Sequence, residues 1–179
     1  MGDYMTTGDN FIPRLPYEGD WEIPATVNDT WGFNKFDTNW KKPDDIISRL
    51  LKIVSRGGNY LLNVGPTAEG TVPEKCVEVL DEVGKYVTEN SEAIFGTRPL
   101  GVYAYEIPGI ELTGRAHKLY VHVLSPRTRI ELLNIGNELK GAYVLSTGEQ
   151  LEYSTLKCCE GDGMICLLYT SPSPRDRSV

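Results

Sequence analysis

Long apolar runs are missing from this chain: none of its 179 residues lies in a window approaching eighteen consecutive apolar positions, so no membrane-spanning helix is expected. Residues 1–10 lack both a basic start and an apolar stretch, and so do not read as a secretory signal. Positive charge is in short supply. Lys and Arg number 18 against 25 Asp and Glu, for a formal net charge of −7 and a pI of about 4.9. Such a surface repels phosphate backbones, which argues against a nucleic-acid partner. Histidine is scarce, with only His117 and His122. The cysteines Cys76, Cys158, Cys159 and Cys166 fit no paired C-x-x-C spacing, so no metal site is expected and they read as free thiols. What is there, 40% hydrophobic and 24% charged residues, is the composition of a folded globular chain. Its length suits one ordinary domain or two small ones.

The first 39 residues are rich in Gly, Pro, Asp and aromatics and show little periodicity. Residues 21–28 allow one short strand, made irregular by Pro24. The stretch before it, 3–20, reads as a long loop, and long loops in compact domains are usually functional. The next element is a helix. Pro43 suits its first position, and Asp44 and Asp45 favour the positive end of its dipole. Ile46, Ile47, Leu50, Leu51, Ile53 and Val54 recur on one face, and Gly57-Gly58 ends the run. The apolar run 59–64 then predicts a strand buried on both faces of a parallel sheet. After the turn at 65–70, Thr71 and Glu74 form a capping box for a second helix, expected to bury Val77, Leu80, Val83 and Val87. Strand, helix, strand, helix is an α/β order.

Past Thr97 the period becomes alternating. Short strands are expected at 101–107, 117–124, 129–134, 141–146 and 150–153, with turns at Pro108-Gly109, Thr113-Gly114, Ser125-Pro126 and Thr147-Gly148. That spacing suggests an antiparallel β-sandwich. A boundary is placed between Phe95 and Gly101, dividing the chain into 1–97 and 98–167. Residues 168–179, rich in Ser, Pro and Arg, read as a non-native or disordered tail and are set aside.

The densest chemistry lies in Asp20-Trp21-Glu22-Ile23-Pro24-Ala25-Thr26-Val27-Asn28-Asp29-Thr30-Trp31-Gly32-Phe33-Asn34. Carboxylates and amides beside indole rings are what a sugar requires: its C–H face stacks on a ring while its hydroxyls take directional bonds. This segment, the run Ser55-Arg56-Gly57-Gly58, the segment Asn59-Tyr60-Leu61-Leu62-Asn63-Val64-Gly65-Pro66-Thr67 and the segment Glu92-Ala93-Ile94-Phe95-Gly96-Thr97 resemble the alpha-L-fucosidase family of glycoside hydrolases, in family order and spacing. The resemblance is strong over residues 2–98 and weak beyond.

The resemblance implies the last strand–helix units of a (β/α) barrel followed by a C-terminal antiparallel β-sandwich. It also implies a retaining reaction, in which one carboxylate attacks the anomeric carbon. A second, about 5–5.5 Å away, protonates the departing oxygen and then activates water. No metal or organic cofactor takes part. The family's nucleophile motif does not occur here, so the chain alone is expected to be inactive. A complete barrel takes about 250 residues.

For the acid/base, many relatives place a glutamate in Thr-x-Glu after Gly-Asp-aromatic. This chain has Gly2-Asp3-Tyr4-Met5-Thr6-Thr7-Gly8-Asp9, with glycine at that position. Glu22, beside Trp21, is the first candidate, because a neighbouring indole would disfavour its ionised form; Asp9 is the alternative. Trp31 matches the ring that meets the C5 methyl of fucose. Trp21, Asn34 and Asn63 are further candidate contacts, and Asn28-Asp29-Thr30 is a formal glycosylation sequon read as incidental. The implied partner is a fucosylated glycan, with a lean toward branched α1,3/α1,4 linkages, and the implied compartments are lysosomal, periplasmic or secreted. The competing reading is a non-catalytic carbohydrate-binding or scaffold module.

Overall fold

The computed structural model describes residues 2–100, 107–133, 135, 137–159 and 162–168. The chain divides into two compact units, Met1–Pro99 and Leu100–Val179.

The first unit is α/β. Its strands β1 (Met5–Thr6), β2 (Trp21–Thr26) and β3 (Asn59–Asn63) form a parallel sheet in that order, with Glu22 opposite Thr6 and Asn59, and Thr26 opposite Asn63. Parallel neighbours require a crossover of a dozen or more residues. Residues 7–20 are that crossover, run here without a helix, and this topological duty accounts for the long loop that the sequence marked as functional. Pro24 sits in β2 without breaking the ladder. Its carbonyl accepts Asn10 N at 2.9 Å on the β1 side, where β1 has already ended. A strand residue's N and O share one edge, so the donor that proline lacks faces away from β3.

Helix α1 (Pro43–Val54) buries Ile46, Ile47, Leu51 and Ile53 and stops at Gly57, whose φ of 76° is the left-handed stop expected. Helix α2 (Glu74–Glu89) differs from expectation in two respects. Its N-cap is Pro73 and no side chain caps it; Thr71 Oγ1 is spent on Thr67 Oγ1 at 2.8 Å, so the capping box does not form. Its buried face is Cys76, Val79, Val83 and Tyr86, while Val77 is exposed, because the cysteine and tyrosine carry the apolar stripe that valines seemed to carry. A short α3 (Ser91–Ile94) and β4 (Arg98–Pro99) complete the unit. Strand β3 is not buried on both faces: it lies at the sheet's edge and Leu61 is 51% exposed.

The second unit is all-β. Strands β5 (Ile110–Arg115) and β6 (Lys118–Val123) form an antiparallel hairpin. Sequence had put a turn inside β5, at Thr113-Gly114. The reversal comes instead at Ala116 and His117, with φ of 33° and 74°, a two-residue loop with positive φ at both positions and no glycine to announce it. Strands β7 (Arg129–Leu133), β8 (Glu152–Cys159) and β9 (Asp162–Leu168) form a second sheet in the order β7-β9-β8. Ile110, Leu112, Val121, Val123, Ile130, Leu132 and Leu167 make the shared core. The strand expected at 141–146 is reduced to one bridge, Tyr143 to Gln150. The strand expected at 150–153 runs on to Cys159. Leu168, assigned to the tail, closes β9. The strand expected at 101–107 lies almost wholly outside the described residues, as do Asn134 and the remaining tail, 169–179.

Candidate functional site

In a parallel sheet every strand's exit loop emerges on the same side. Here those loops are 7–20 after β1, 27–42 after β2 and 64–73 after β3.

The exit of β2 is built around Asp37. Its Oδ2 accepts hydrogen bonds from Asn28 Nδ2 (2.8 Å), Asp29 N (3.1 Å), Thr30 N (3.0 Å) and Thr30 Oγ1 (2.9 Å), and its Oδ1 accepts one from Asn39 N (3.1 Å). Desolvation alone would raise the pKa of this carboxyl; the bonds from Asn39, Thr30 and Asp29 outweigh it and hold Asp37 below its ordinary value. Lys41 Nζ closes the strand end, donating to Thr26 O (2.6 Å), Asn28 O (2.8 Å) and Thr26 Oγ1 (3.3 Å). Burial, helped by Arg49, lowers the Lys41 pKa against the opposing pull of Asp29 and Asp37. Thr26 Oγ1 in turn donates to Asn28 O. Asn28 is 6% exposed and donates both amide bonds inward, to Asp37 and Thr30, so the atom that would carry a glycan is occupied.

Trp31 sits on this loop, 43% exposed. Two contacts, one from the end of β3 and one from its exit loop, hold the backbone here. Asn63 Nδ2 donates to Trp31 O at 2.7 Å, and Gly65 lies so close beneath the loop that a Cβ there would stand 2.6 Å from Gly32 C and Phe33 N. An accessible indole on a pinned backbone is a stacking surface with little ordering entropy left to lose.

Of the remaining sequence candidates only Asn34 shares this loop. Trp21 is 1% exposed, packed with Ile23, Ile53, Ile12 and Tyr60, edge-on to Tyr17, so its ring is core and not part of an open cleft. Glu22 follows it on the strand and therefore points to the opposite face, so the indole-shielded carboxyl expected from sequence does not exist. Glu22 Oε1 accepts a bond from Thr6 Oγ1 at 3.1 Å. Glu22 also sits at the entry end of β2, four residues or roughly 13 Å before the exit at Thr26. Asp9 lies on the exit side, exposed in the turn closed by Phe11 N to Gly8 O (3.0 Å). Asn34 uses its Oδ1 to accept Phe36 N at 3.0 Å, a local turn.

A cavity of about 200 Å³ opens beside the loop, bounded by Asn28, Phe33, Asn34, Asp37, Trp40 and Cys76 among others; Trp31, Trp21, Glu22 and Asp9 are not among its walls. Among the described residues no three His, Cys, Asp or Glu side chains gather as a metal site. Sequence reasoning missed Asp37 and Lys41. Their only signal was the polar density of 28–39, and bonds spanning nine to fifteen residues through irregular backbone leave no period to detect.

Comparison with known proteins places this geometry among relatives. Residues 1–92 match the family model described as Alpha-L-fucosidase. An alpha-L-fucosidase from Dictyostelium discoideum is 36% identical over 100 residues, covering 55% of this chain and 22% of that protein. Tissue alpha-L-fucosidase from Homo sapiens is likewise 36% identical, over 101 residues, with the same two coverages. The alpha-L-fucosidase structure from Vibrio sp. strain EJY3 superposes with a TM-score of 0.85 at 31% identity, over 96% of this chain and 30% of that one. A Bacteroides thetaiotaomicron alpha-L-fucosidase, solved as a trapped covalent intermediate, shares the fold with a TM-score of 0.84 at 21% identity, over 99% of this chain and 42% of that one. The chain thus spans less than half the length of each of these relatives.

Proposed function

This chain belongs to the alpha-L-fucosidase family of glycoside hydrolases, and from that premise we propose that it is a C-terminal part of an enzyme that hydrolyses terminal alpha-L-fucose from glycans by retaining double displacement. Residues 1–97 are then the last strand–helix units of a (β/α) barrel and residues 98–167 part of a β-sandwich. Three parallel strands with exit loops on one side support the first assignment. Two antiparallel sheets around one core support the second. The nucleophile lies outside these residues, and the chain alone is inactive. The covalent intermediate trapped in the Bacteroides relative favours retention.

The observation that carries this reading is Trp31, half exposed and pinned at the strand-exit end, where barrel enzymes keep their chemistry. Its ring faces the apolar side of the sugar, and the C5 methyl of fucose adds a contact that galactose would replace with a polar group. The same polarity favours Asp9 over Glu22 as the acid/base: Asp9 is on the exit loop of β1, whereas Glu22 is at the entry end, bonded to Thr6.

The test uses these residues within a family-length chain, assayed on 4-nitrophenyl alpha-L-fucoside. Asp9→Asn lowers kcat by about 10²–10⁴-fold and flattens the alkaline limb of the pH–rate profile, while Glu22→Gln keeps that limb. The 179-residue chain shows no turnover. Activity in the 179-residue chain, or a lost limb in Glu22→Gln with Asp9→Asn unaffected, overturns the assignment.

A further inference from the structure

We propose that Asp37 and Lys41 are positioning residues, a clasp inside the exit loop of β2 that sets the Trp31 ring; the proposal rests on the reading of Trp31 as the fucose contact. Residues 27–42 contain no helix or strand, and a loop of that length is ordered only when its own side chains tie it down. Two charged groups do so here, at two levels. At the base, Lys41 N donates to Val27 O at 2.9 Å, and Lys41 Nζ donates to Thr26 O, Thr26 Oγ1 and Asn28 O. The loop's end is thereby joined to its beginning. In the body, Asp37 Oδ2 gathers Asn28 Nδ2, Asp29 N, Thr30 N and Thr30 Oγ1. Asp37 is itself placed by the turn that brings its N to Asn34 O at 3.0 Å.

Trp31 is the residue these bonds bracket. Thr30, held through both its N and its Oγ1, immediately precedes it, and the Trp31 carbonyl is held from the other side by Asn63 Nδ2. Each residue has only two soft backbone dihedrals, so anchoring the Thr30 amide and the Trp31 carbonyl leaves the backbone beneath the ring little freedom. A ring ordered in advance loses less entropy on stacking than one carried by a free loop.

The residue types suit the task. One Asp37 oxygen faces four donors, which an ionised carboxylate meets because it only accepts and because its bonds are charge-assisted. An ammonium has three N–H groups, and Lys41 spends all three on oxygens around the end of β2. With these bonds made inside the loop, both residues act on a sugar through Trp31.

Two measurements test this. In the 179-residue chain, ¹⁵N relaxation reports the Trp31 backbone amide; Asp37→Ala is expected to lower its order parameter from about 0.85 to below about 0.6, with the α1 amides unchanged. In a family-length chain carrying these residues, assayed on 4-nitrophenyl alpha-L-fucoside, Trp31→Ala and Asp37→Ala each raise KM about tenfold with kcat nearly constant. Asp37→Ala in the Trp31→Ala background adds less than about twofold, because the ring it places is gone. Asp37→Asn keeps most of the order and of the KM, since its amide oxygen can face the four converging donors and only the Asn39 bond is lost. Should Asp37→Ala unfold, Lys41→Met, which opens the base of the loop and leaves the Asp37 bonds, carries the same test with the same expectations. An undiminished Trp31 order parameter in the folded variant, or effects that add in the double variant, overturns the proposal. Trp31→Ala with an unchanged KM overturns the sugar-contact reading alone, and a loss of Trp31 order in Asp37→Ala then still supports the clasp.

Discussion

Gly65→Ala tests whether the exit of β3 holds the Trp31 loop in place. A Cβ at Gly65 would meet only backbone: Gly32 C and Phe33 N at 2.6 Å and Gly32 O at 3.1 Å. Backbone cannot rotate aside as a side-chain end can. Ordinary contact begins near 3.4 Å, so the loop must retreat by about 0.8 Å. The Asn63 Nδ2 to Trp31 O bond, now 2.7 Å, then stretches toward about 3.5 Å, the outer limit of a hydrogen bond. Overpacking plus the weakened bond costs about 1–3 kcal/mol. In a unit of residues 1–99, at about 4–8 °C per kcal/mol, that lowers Tm by roughly 5–20 °C. Thermal unfolding by circular dichroism measures the stability loss, and the Asn63 side-chain amide resonance reports the bond itself. An unmoved Asn63 resonance with Tm unchanged to within about 1 °C would refute the account of how Trp31 is positioned.

Gly58→Ala places a Cβ 2.5 Å from Trp21 Cη2, deep in the core, and is expected to cost about 1–3 kcal/mol without moving the Asn63 resonance; thermal melts paired with that resonance separate it from Gly65→Ala. Trp21→Ala removes a ring that is 1% exposed and should cost about 3–5 kcal/mol, whereas Trp31→Ala, at a 43% exposed ring, should stay within about 0.5 kcal/mol in denaturant titration. The Asp37 pKa is depressed, so its contribution to loop order is complete above the unfolded value near 3.8 and is lost as pH falls below that toward the folded value. Acid titration of the Asn28 side-chain amide should show that step, and Asp37→Asn should abolish it.

Helix α1 could be read from the sequence because every local signal agreed: Pro43 at the start, acids in the first turn, a single apolar stripe, and Gly57 in the left-handed stop. Where signals conflicted, the reading failed. The Ala116–His117 reversal uses positive φ without glycine or asparagine, so the turn was assigned to Thr113-Gly114 and no strand was expected where β5 runs. Strand β9 was missed because Asp162–Leu168 adjoins a tail of different composition, although it forms a local hairpin with β8. Residue type alone did not separate the exposed Trp31 from the buried Trp21, and only the resemblance singled Trp31 out; the Asp37 network was not legible at all, since it depends on loop closure and not on period.

Strand polarity is what separates the candidates that composition had grouped. Trp21, Glu22 and Trp31 lie within eleven residues, and proximity in sequence suggested one pocket. On a strand, neighbours diverge by face and residues further apart diverge by height. Trp21 and Glu22 part by face: one joins Ile23 and Ile53 in the core while the other pairs with Thr6 across the sheet. Glu22 and Trp31 part by height, the first at the entry of β2 and the second beyond its exit. Asp9, twenty-two residues from Trp31 in sequence, is brought to the exit side because β1 runs parallel to β2 and Asn10 N reaches Pro24 O. Parallel pairing thus gathers onto one side the residues that follow each strand and excludes those that precede it. On the proposed reading, the acid/base for a sugar stacked on Trp31 comes from the exit side of the sheet, where Asp9 lies and Glu22 does not.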